Sequence, residues 1–454
     1  MNSPTSNASI VTWMVSFLVQ RSPDTDQSPY RPLQGVEVVM VWPKPREDRL
    51  PPLSSSISQR DTILTAAATL AVALGFVATG SGRSDGPSEV TRPSDSPPMM
   101  TTVPKRILAS TPVFTKTLCR IIPHDGEMAI MAAIASCPNG TATSPTTIQF
   151  PANSRYHANH RILVSGRSNI VIDGNGSTFI TTAHLRSAGI EGNWILLKDH
   201  NLTLEDMTAI GAFHLPAPRS LATLSPADSE ADMNYGVYGG DTISLLDLTG
   251  SHPWGDNVAA EDSTYIDKLP DSYVNGLTIE GGTFSSAARM CFAPTSGTSI
   301  IFESNSCSDS WYGGVDAEID NVKQPLDGIR VLHNTFNGFG QFGVAIPAAG
   351  INTTHIEISG NRFITATDPA YNVCWPIIRV GFYPLTPATF TDVVTDDNSM
   401  PDYGTGISYD HVNGGEVKGN ILTPHPTLGC DTIPALVTNS TGIAVTNNEA
   451  IPAA

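Results

Sequence analysis

The chain has 454 residues, with 25 Lys+Arg against 43 Asp+Glu and a formal net charge of −18. Only 15% of its residues are charged, whereas Gly (38) and Pro (35) are plentiful, a mixture suited to many short strands joined by turns rather than to long helices. Collagen, coiled coil and polytopic membrane protein are excluded, and the acidic balance argues against nucleic acid, whose phosphates require a surplus of Lys and Arg.

In chain order, residues 1–60 show no sustained hydrophobic period and are read as an N-terminal extension. The first candidate element is the apolar run 63–78 (ILTAAATLAVALGFVA), which follows Arg60 and ends in Thr79-Gly80-Ser81-Gly82. It is short for a membrane span and close in length to a secretory h-region followed by small residues. Segment 61–80 is therefore expected to be a signal peptide or signal anchor, with a buried helix as the bland alternative. Its distance from Met1 fits either an over-extended gene start or a cytoplasmic tail before an anchor. Residues 81–104 are a polar, Pro- and Ser-rich linker that should not pack. The folded part is expected over 105–454, secreted or held outside the cell. It would touch a membrane only through an uncleaved 61–80 and would be a monomer.

Six cysteines fit an oxidising compartment. Cys119 and Cys137 flank an amphipathic stretch, EMAIMAAIAS, and would tie it down. Cys374 and Cys430 would anchor a long insertion, while Cys291 and Cys307 lie in strand-like segments and read as buried thiols. No C-x-x-C pair is present, and the scattered histidines form no H-E-x-x-H spacing, which argues against zinc.

From residue 168 a short phrase recurs: two apolar residues with one between them, a turn containing Asn, then another apolar residue. It is seen in Asn169-Ile170-Val171-Ile172-Asp173-Gly174-Asn175, in Ile300-Ile301-Phe302-Glu303-Ser304-Asn305, in Ile329-Arg330-Val331-Leu332-His333-Asn334 and in Ile356-Glu357-Ile358-Ser359-Gly360-Asn361. Further copies follow around Leu277, Val417 and Val445. The period-two alternation makes each phrase a strand with one face inside, and spacings of a few tens of residues are those of a solenoid. The recurring Asn175, Asn305, Asn334, Asn361, Asn420 and Asn448 suit a ladder in which each amide donates to one coil and accepts from the next. Phe284, Cys307, Phe336, Phe363 and Leu422 begin a second inward stack. Residues 211–240 and 364–405 break the period and are read as loops walling a groove, because they carry Phe213, Tyr235, Tyr371, Trp375 and Tyr383.

On these phrases, over about residues 145–450, the chain resembles the right-handed parallel β-helix family with pectin-lyase-like topology. The entry segment Thr147-Ile148-Gln149-Phe150-Pro151-Ala152 and the stretch NIVIDGNGSTF are similar to the first coils of such exported proteins. The resemblance implies an all-β, single-stranded parallel β-helix, with the stretch between Cys119 and Cys137 as the N-terminal capping helix that hides strand edges.

A β-helix is filled with side chains, so a ligand must lie along an outer face. Aligning the strands after the Asn corner puts Phe292, Val315 and Val344 inside. Arg289, Tyr312 and Gln341 then form one outer row, and Ala293, Asp316 and Ala345 another. Asp316 and Glu318 are two apart on one strand, so their backbones lie roughly 6.6 Å apart. Paired carboxyls at about 6.5–9.5 Å suit an inverting glycosidase, one protonating the leaving oxygen and the other activating water; crowding would raise one pKa, as the acid requires. Asp256, two coils earlier, would extend the cluster, and Arg289 would bind a sugar acid or hydroxyl. Trp311, Tyr312, Gln341 and Glu261 complete the expected substrate contacts.

Other readings remain open. The pair can be a solvated turn device or a cation site, Asp256 a local turn residue, and Arg289 the base of a Ca²⁺-dependent lyase. The resemblance implies no subfamily. The Asn-Thr-Asp, Gly-Asp-Asp, Gly-His-Gly and Arg-Ile-Lys motifs of polygalacturonases are not intact here, and the Trp-Ile-Asp-His segment of pectate lyases is missing. The leading expectation is an exported protein that binds and cleaves an extended polysaccharide, hydrolysis being favoured over elimination. No cofactor is required unless a lyase takes calcium. A non-catalytic surface or adhesive solenoid, binding carbohydrate or cations, is the alternative.

Overall fold

In the computed structural model the described residues are 117–181, 192–213, 232–267, 272–318, 325–347, 351–364, 376–381, 389–402, 405–424 and 433–451. The expected extension, signal or anchor segment and linker lie outside them. So do Cys374, Cys430, Tyr371, Trp375 and Tyr383.

Twenty-nine strands of this set join into one continuous sheet. The pairing is parallel and each strand meets its counterpart one coil away, as in Val315 with Val344 and Ile279 with Phe302. Three faces result. The first carries the strands before the Asn corner, such as Val274–Glu280, Gly297–Glu303, Leu326–Leu332 and Thr353–Ser359. The second follows that corner, in Thr283–Ser285, Ser306–Ser310 and Thr335–Phe339. The third closes the coil, in Val258–Glu261, Met290–Pro294, Gly313–Asp316, Phe342–Ile346 and Ile378–Val380.

Alternation sets the inside of every face. Ile279, Phe302, Val331 and Ile358 stack from the first, Phe284, Cys307, Phe336 and Phe363 from the second, and Phe292, Val315, Val344 and Ile378 from the third. All belong to one hydrophobic core, each large side chain contributing about 1.5–3 kcal/mol on burial. The Phe336 and Phe363 rings stack at 5.0 Å.

The Asn ladder runs through Asn305, Asn334, Asn361, Asn398, Asn420 and Asn448. At each step the backbone N–H and Nδ2 of one rung donate to Oδ1 of the next, for example 3.0 Å for both bonds from Asn334 to Asn361. The same Nδ2 also donates to a carbonyl of the preceding turn, as from Asn361 to Val331 at 2.8 Å. Asn398 replaces Asn175 in the expected set. Asn175 has φ 50° in a wider turn and donates Nδ2 to the Phe150 carbonyl; the register slips between Asp173 and Ser177, which puts Ser177 at the ladder position.

A second polar ladder lies inside the corner between the second and third faces. The Thr181 hydroxyl donates to Asn193, Asn193 Nδ2 to Asn234 at 3.1 Å, and Asn234 Nδ2 to Asn257 at 2.8 Å. In the next coil this column is taken by Cys291, which is bonded to Cys307 across the corner rather than standing as a buried thiol. Gly314 and Gly343 continue it, because a Cβ at either would strike the ring of Phe336 or Phe363.

Helix α1 (Glu127–Ser136) closes the N-terminal end of the core with Ile130 and Ile134 and leaves Met128 exposed. Cys119–Cys137 ties it to the first strand, Thr117–Arg120. Arg167 holds its C-terminus by donating Nη1 to the Ile134 carbonyl at 2.9 Å and Nη2 to that of Cys137 at 2.8 Å.

Two expected walls are partly solenoid. Within 211–240 the strand Met233–Leu246 has begun, and Tyr235 points inward, its hydroxyl donating to the Thr249 carbonyl at 2.8 Å. Within 364–405 lie Ile378–Val380, Phe390–Asp396 and Ser399–Asp402.

Candidate functional site on the third face

The outward residues of the third face follow the expected rows. Backbone bonds from Tyr312 N–H to the Arg289 carbonyl at 3.0 Å and from Gln341 N–H to that of Tyr312 at 2.6 Å align Arg289, Tyr312 and Gln341 on successive coils. Asp316 pairs with Ala345, which pairs with Arg379. Ala317 then turns inward and is fully buried, its N–H donating to the Ala345 carbonyl at 2.9 Å, so the alternation carries Glu318 to the outer side.

Asp316 is only 7% exposed, and its row neighbours Ala293, Ala345 and Arg379 are also buried. Met290, Ala293, Phe342 and Ala345 form an apolar cluster outside the main core, with Tyr312 packed against it. This surrounding decides the chemistry. Burial, reinforced by the negative charge of Glu318, pushes the Asp316 carboxyl up to about 8; Arg289 and Arg379 oppose that shift and Asp256 adds to it. The Tyr312 phenol is raised by burial and then by Asp316 and Glu318.

Asp256 is 1% exposed. Its Oδ1 accepts the Met290 N–H at 2.9 Å and its Oδ2 lies 3.9 Å from Arg289 Nη1. Thus Asp256, Arg289, Tyr312, Asp316 and Glu318 are brought within electrostatic reach of one another. Glu261 lies on the same face, two coils before Glu318, in register with Tyr238 and buried. Trp311 lies beside the face rather than on it. It packs edge-to-face on Phe213 at 5.0 Å, next to Ala288 and Trp254, and is 5% exposed, which leaves little ring surface for a sugar.

Arg379 is the residue that sequence reasoning missed. Its guanidinium lies 4.7 Å from the centre of the Phe342 ring, a cation–π geometry, and its charge acts on both Asp316 and Tyr312. The alternation Ile378-Arg379-Val380, with both flanking residues fully buried, is the signal that could have placed it.

No family model and no curated protein matches the chain. Solved structures do match in fold. A surface protein and adhesin of Streptococcus pneumoniae, PfbA, aligns at 13% identity over 72% of this chain and 94% of that one, with a TM-score of 0.50; a second structure of PfbA gives 14%, 72%, 86% and 0.52. An endo-xylogalacturonan hydrolase from Aspergillus tubingensis aligns at 12% identity over 73% and 92% of the two chains, with a TM-score of 0.51. With the three parallel faces and the stacked Asn corner, these likenesses show that the chain has the fold of a right-handed parallel β-helix.

Proposed function

We propose that the third face binds an extended polysaccharide and hydrolyses it, with Asp316 as proton donor and Glu318 as base. The observation that carries this reading is Asp316 itself, a buried carboxyl on an outward row beside a second carboxylate, pushed up to about 8 by burial and by Glu318. Asp316 would pass its proton to the glycosidic oxygen as the bond from that oxygen to C1 breaks. Glu318 would take a proton from the water whose oxygen forms the new bond to C1, inverting the anomeric centre. Arg289, held by Asp256, with Tyr312 and Gln341 in its row, would contact the sugar.

Export is part of the proposal. Its supports are the apolar run 63–78 and two disulfides, which persist in oxidising compartments. Among the described residues no helix is long and apolar enough to cross a membrane. Among the same residues no three His, Cys, Asp or Glu side chains converge to hold a metal ion.

The burial of Asp316 also favours a second reading, in which the face is a closed binding surface of an adhesive solenoid and the acid is structural. Incubation of residues 103–454 with neutral and acidic polysaccharides separates the readings, following reducing ends and unsaturated uronate with and without chelator. Reducing ends without unsaturation, lost in Asp316→Ala/Glu318→Ala, support hydrolysis. Unsaturated product lost with chelator would replace it by elimination. Binding without turnover, retained in the double variant, would make the protein an adhesin.

A further inference from the structure

Five Asn-x-Ser/Thr sequences fall among the described residues, at Asn139, Asn175, Asn201, Asn352 and Asn439, and the folded chain does not treat them alike. Asn175 donates Nδ2 to the Phe150 carbonyl, Asn201 donates it to Asn169 Oδ1 at 2.9 Å, and Asn439 donates it to Asp410 Oδ1 at 2.9 Å. In Asn139 and Asn352 the polarity is reversed. Asn139 Oδ1 accepts the Arg167 Nε–H at 2.7 Å and Asn352 Oδ1 accepts the Thr389 N–H at 3.2 Å. Both side chains are exposed.

An N-linked oligosaccharide replaces one hydrogen of Nδ2 and leaves Oδ1 untouched. At Asn139 and Asn352 the contact that orients the amide therefore survives modification, and Nδ2 is the end turned toward solvent. At the other three sites the nitrogen that must carry the sugar is already engaged with the protein. The middle residues raise no obstacle, since neither Gly140 nor Thr353 is Pro. Asn139 lies in the connection from α1 to the strand Thr146–Gln149, and Asn352 immediately precedes the first-face strand Thr353–Ser359. Both are off the outward rows of the third face that hold Arg289 and Asp316.

We propose that Asn139 and Asn352 are N-glycosylation sites of the exported chain, the acceptor positions for an oligosaccharide carried on a lipid pyrophosphate. The bond from Nδ2 to the sugar C1 forms, the bond from C1 to the pyrophosphate oxygen breaks, Nδ2 gives up a proton, and the lipid pyrophosphate leaves. The proposal rests on the export reading above.

The test is production of the full chain in a eukaryotic secretory host, once with its own N-terminus and once behind a foreign cleavable signal. Amidase deglycosylation in heavy-oxygen water and peptide mapping follow. The expected result is conversion of Asn139 and Asn352 to labelled Asp, abolished site by site in Asn139→Gln and Asn352→Gln. Thr141→Ala and Thr354→Ala should abolish it equally while keeping both Asn contacts, which guards against a variant that fails to fold. Secreted chain with both disulfides formed and both positions unmodified would overturn the proposal, as would modification confined to Asn175, Asn201 or Asn439. If only the foreign signal delivers the chain and the two sites are then occupied, the export reading fails and the site assignment stands.

Discussion

The carboxylate of Asp256 and the guanidinium of Arg289 face each other across one coil step, 3.9 Å from Oδ2 to Nη1, while Oδ1 accepts the backbone N–H of Met290 at 2.9 Å. One buried acid thus fixes both the strand that carries Arg289 and the direction of its side chain. Asp256→Asn keeps an acceptor for Met290 but removes the charge. It should raise KM for a cleaved polysaccharide about tenfold, on the order of 1.4 kcal/mol, with kcat changed less. Steady-state kinetics check this, and a fall in kcat at constant KM would assign Asp256 to the chemistry instead.

The raised carboxyl of Asp316 makes stability depend on pH in a definite direction. Below the ordinary value of 3.8 it is protonated in folded and unfolded chains alike. Between 3.8 and about 8 the unfolded chain has released the proton while the folded chain keeps it, so stability falls as pH rises, by at most ~1.4 kcal/mol per unit. Asp199, buried and raised to about 7, adds to the same slope up to that pH. Urea midpoints should therefore decline from pH 5 to 8, and less steeply in Asp316→Asn and Asp199→Asn. A wild-type midpoint that is flat across this range would refute the burial argument for both.

Activity should respond at the same group. If Asp316 is the proton donor as proposed, a carboxyl pushed up to about 8 gives a rate that falls on the alkaline side of that value. Arg379 favours the ionised form of Asp316, so Arg379→Gln should move the alkaline limb upward in pH. An unmoved limb with altered KM would make Arg379 a substrate contact only.

The Asn column separates a ladder rung from a turn residue. Asn361 accepts from Asn334 and donates to Asn398 and to the Val331 carbonyl, and it is 1% exposed. Asn361→Ala strands several buried polar groups at ~1–3 kcal/mol each, so a loss of about 3 kcal/mol is expected in urea unfolding. Asn175→Ala loses one hydrogen bond and places Ala at φ 50°, where Asn is better tolerated, and should cost about 1 kcal/mol. Equal losses would contradict the assignment.

These two residues also show how far the sequence could be read. Period two and a corner Asn identify the coils because each coil repeats the same inward positions, and that regularity also aligned Arg289 with Tyr312 and Asp316 with Ala345. It misplaced Asn175, since two extra residues at the Asp173–Ser177 turn shift the phase without altering the motif. It passed over Arg379, whose strand is three residues long. The ladder of Asn193, Asn234 and Asn257 left no trace because its rungs sit at or just before the start of a strand, away from the corner phrase that repeats. Burial of Asp316 was beyond reach for a different reason: the row gives the direction of a side chain, whereas its desolvation depends on what packs over the face.

The Cys291–Cys307 bond takes the place in its column that Asn257 holds one coil earlier, so a covalent link succeeds a hydrogen-bonded one at the same corner. It closes a sequence separation of 16 residues, for which chain entropy predicts a stabilisation of about 3 kcal/mol. Cys291→Ala/Cys307→Ala should lower the unfolding free energy by that order. The loss should be greater than for Cys119→Ala/Cys137→Ala, because the inner bond joins the second and third faces in mid-solenoid and also carries the strand of Arg289 and Met290, whereas the outer bond ties a terminal helix that Arg167 grips independently. Urea unfolding of both double variants checks the order. Equal losses would mean that the N-terminal cap and the middle coils unfold as one cooperative unit; a larger loss from the cap pair would place the weakest point of the solenoid at its N-terminal end.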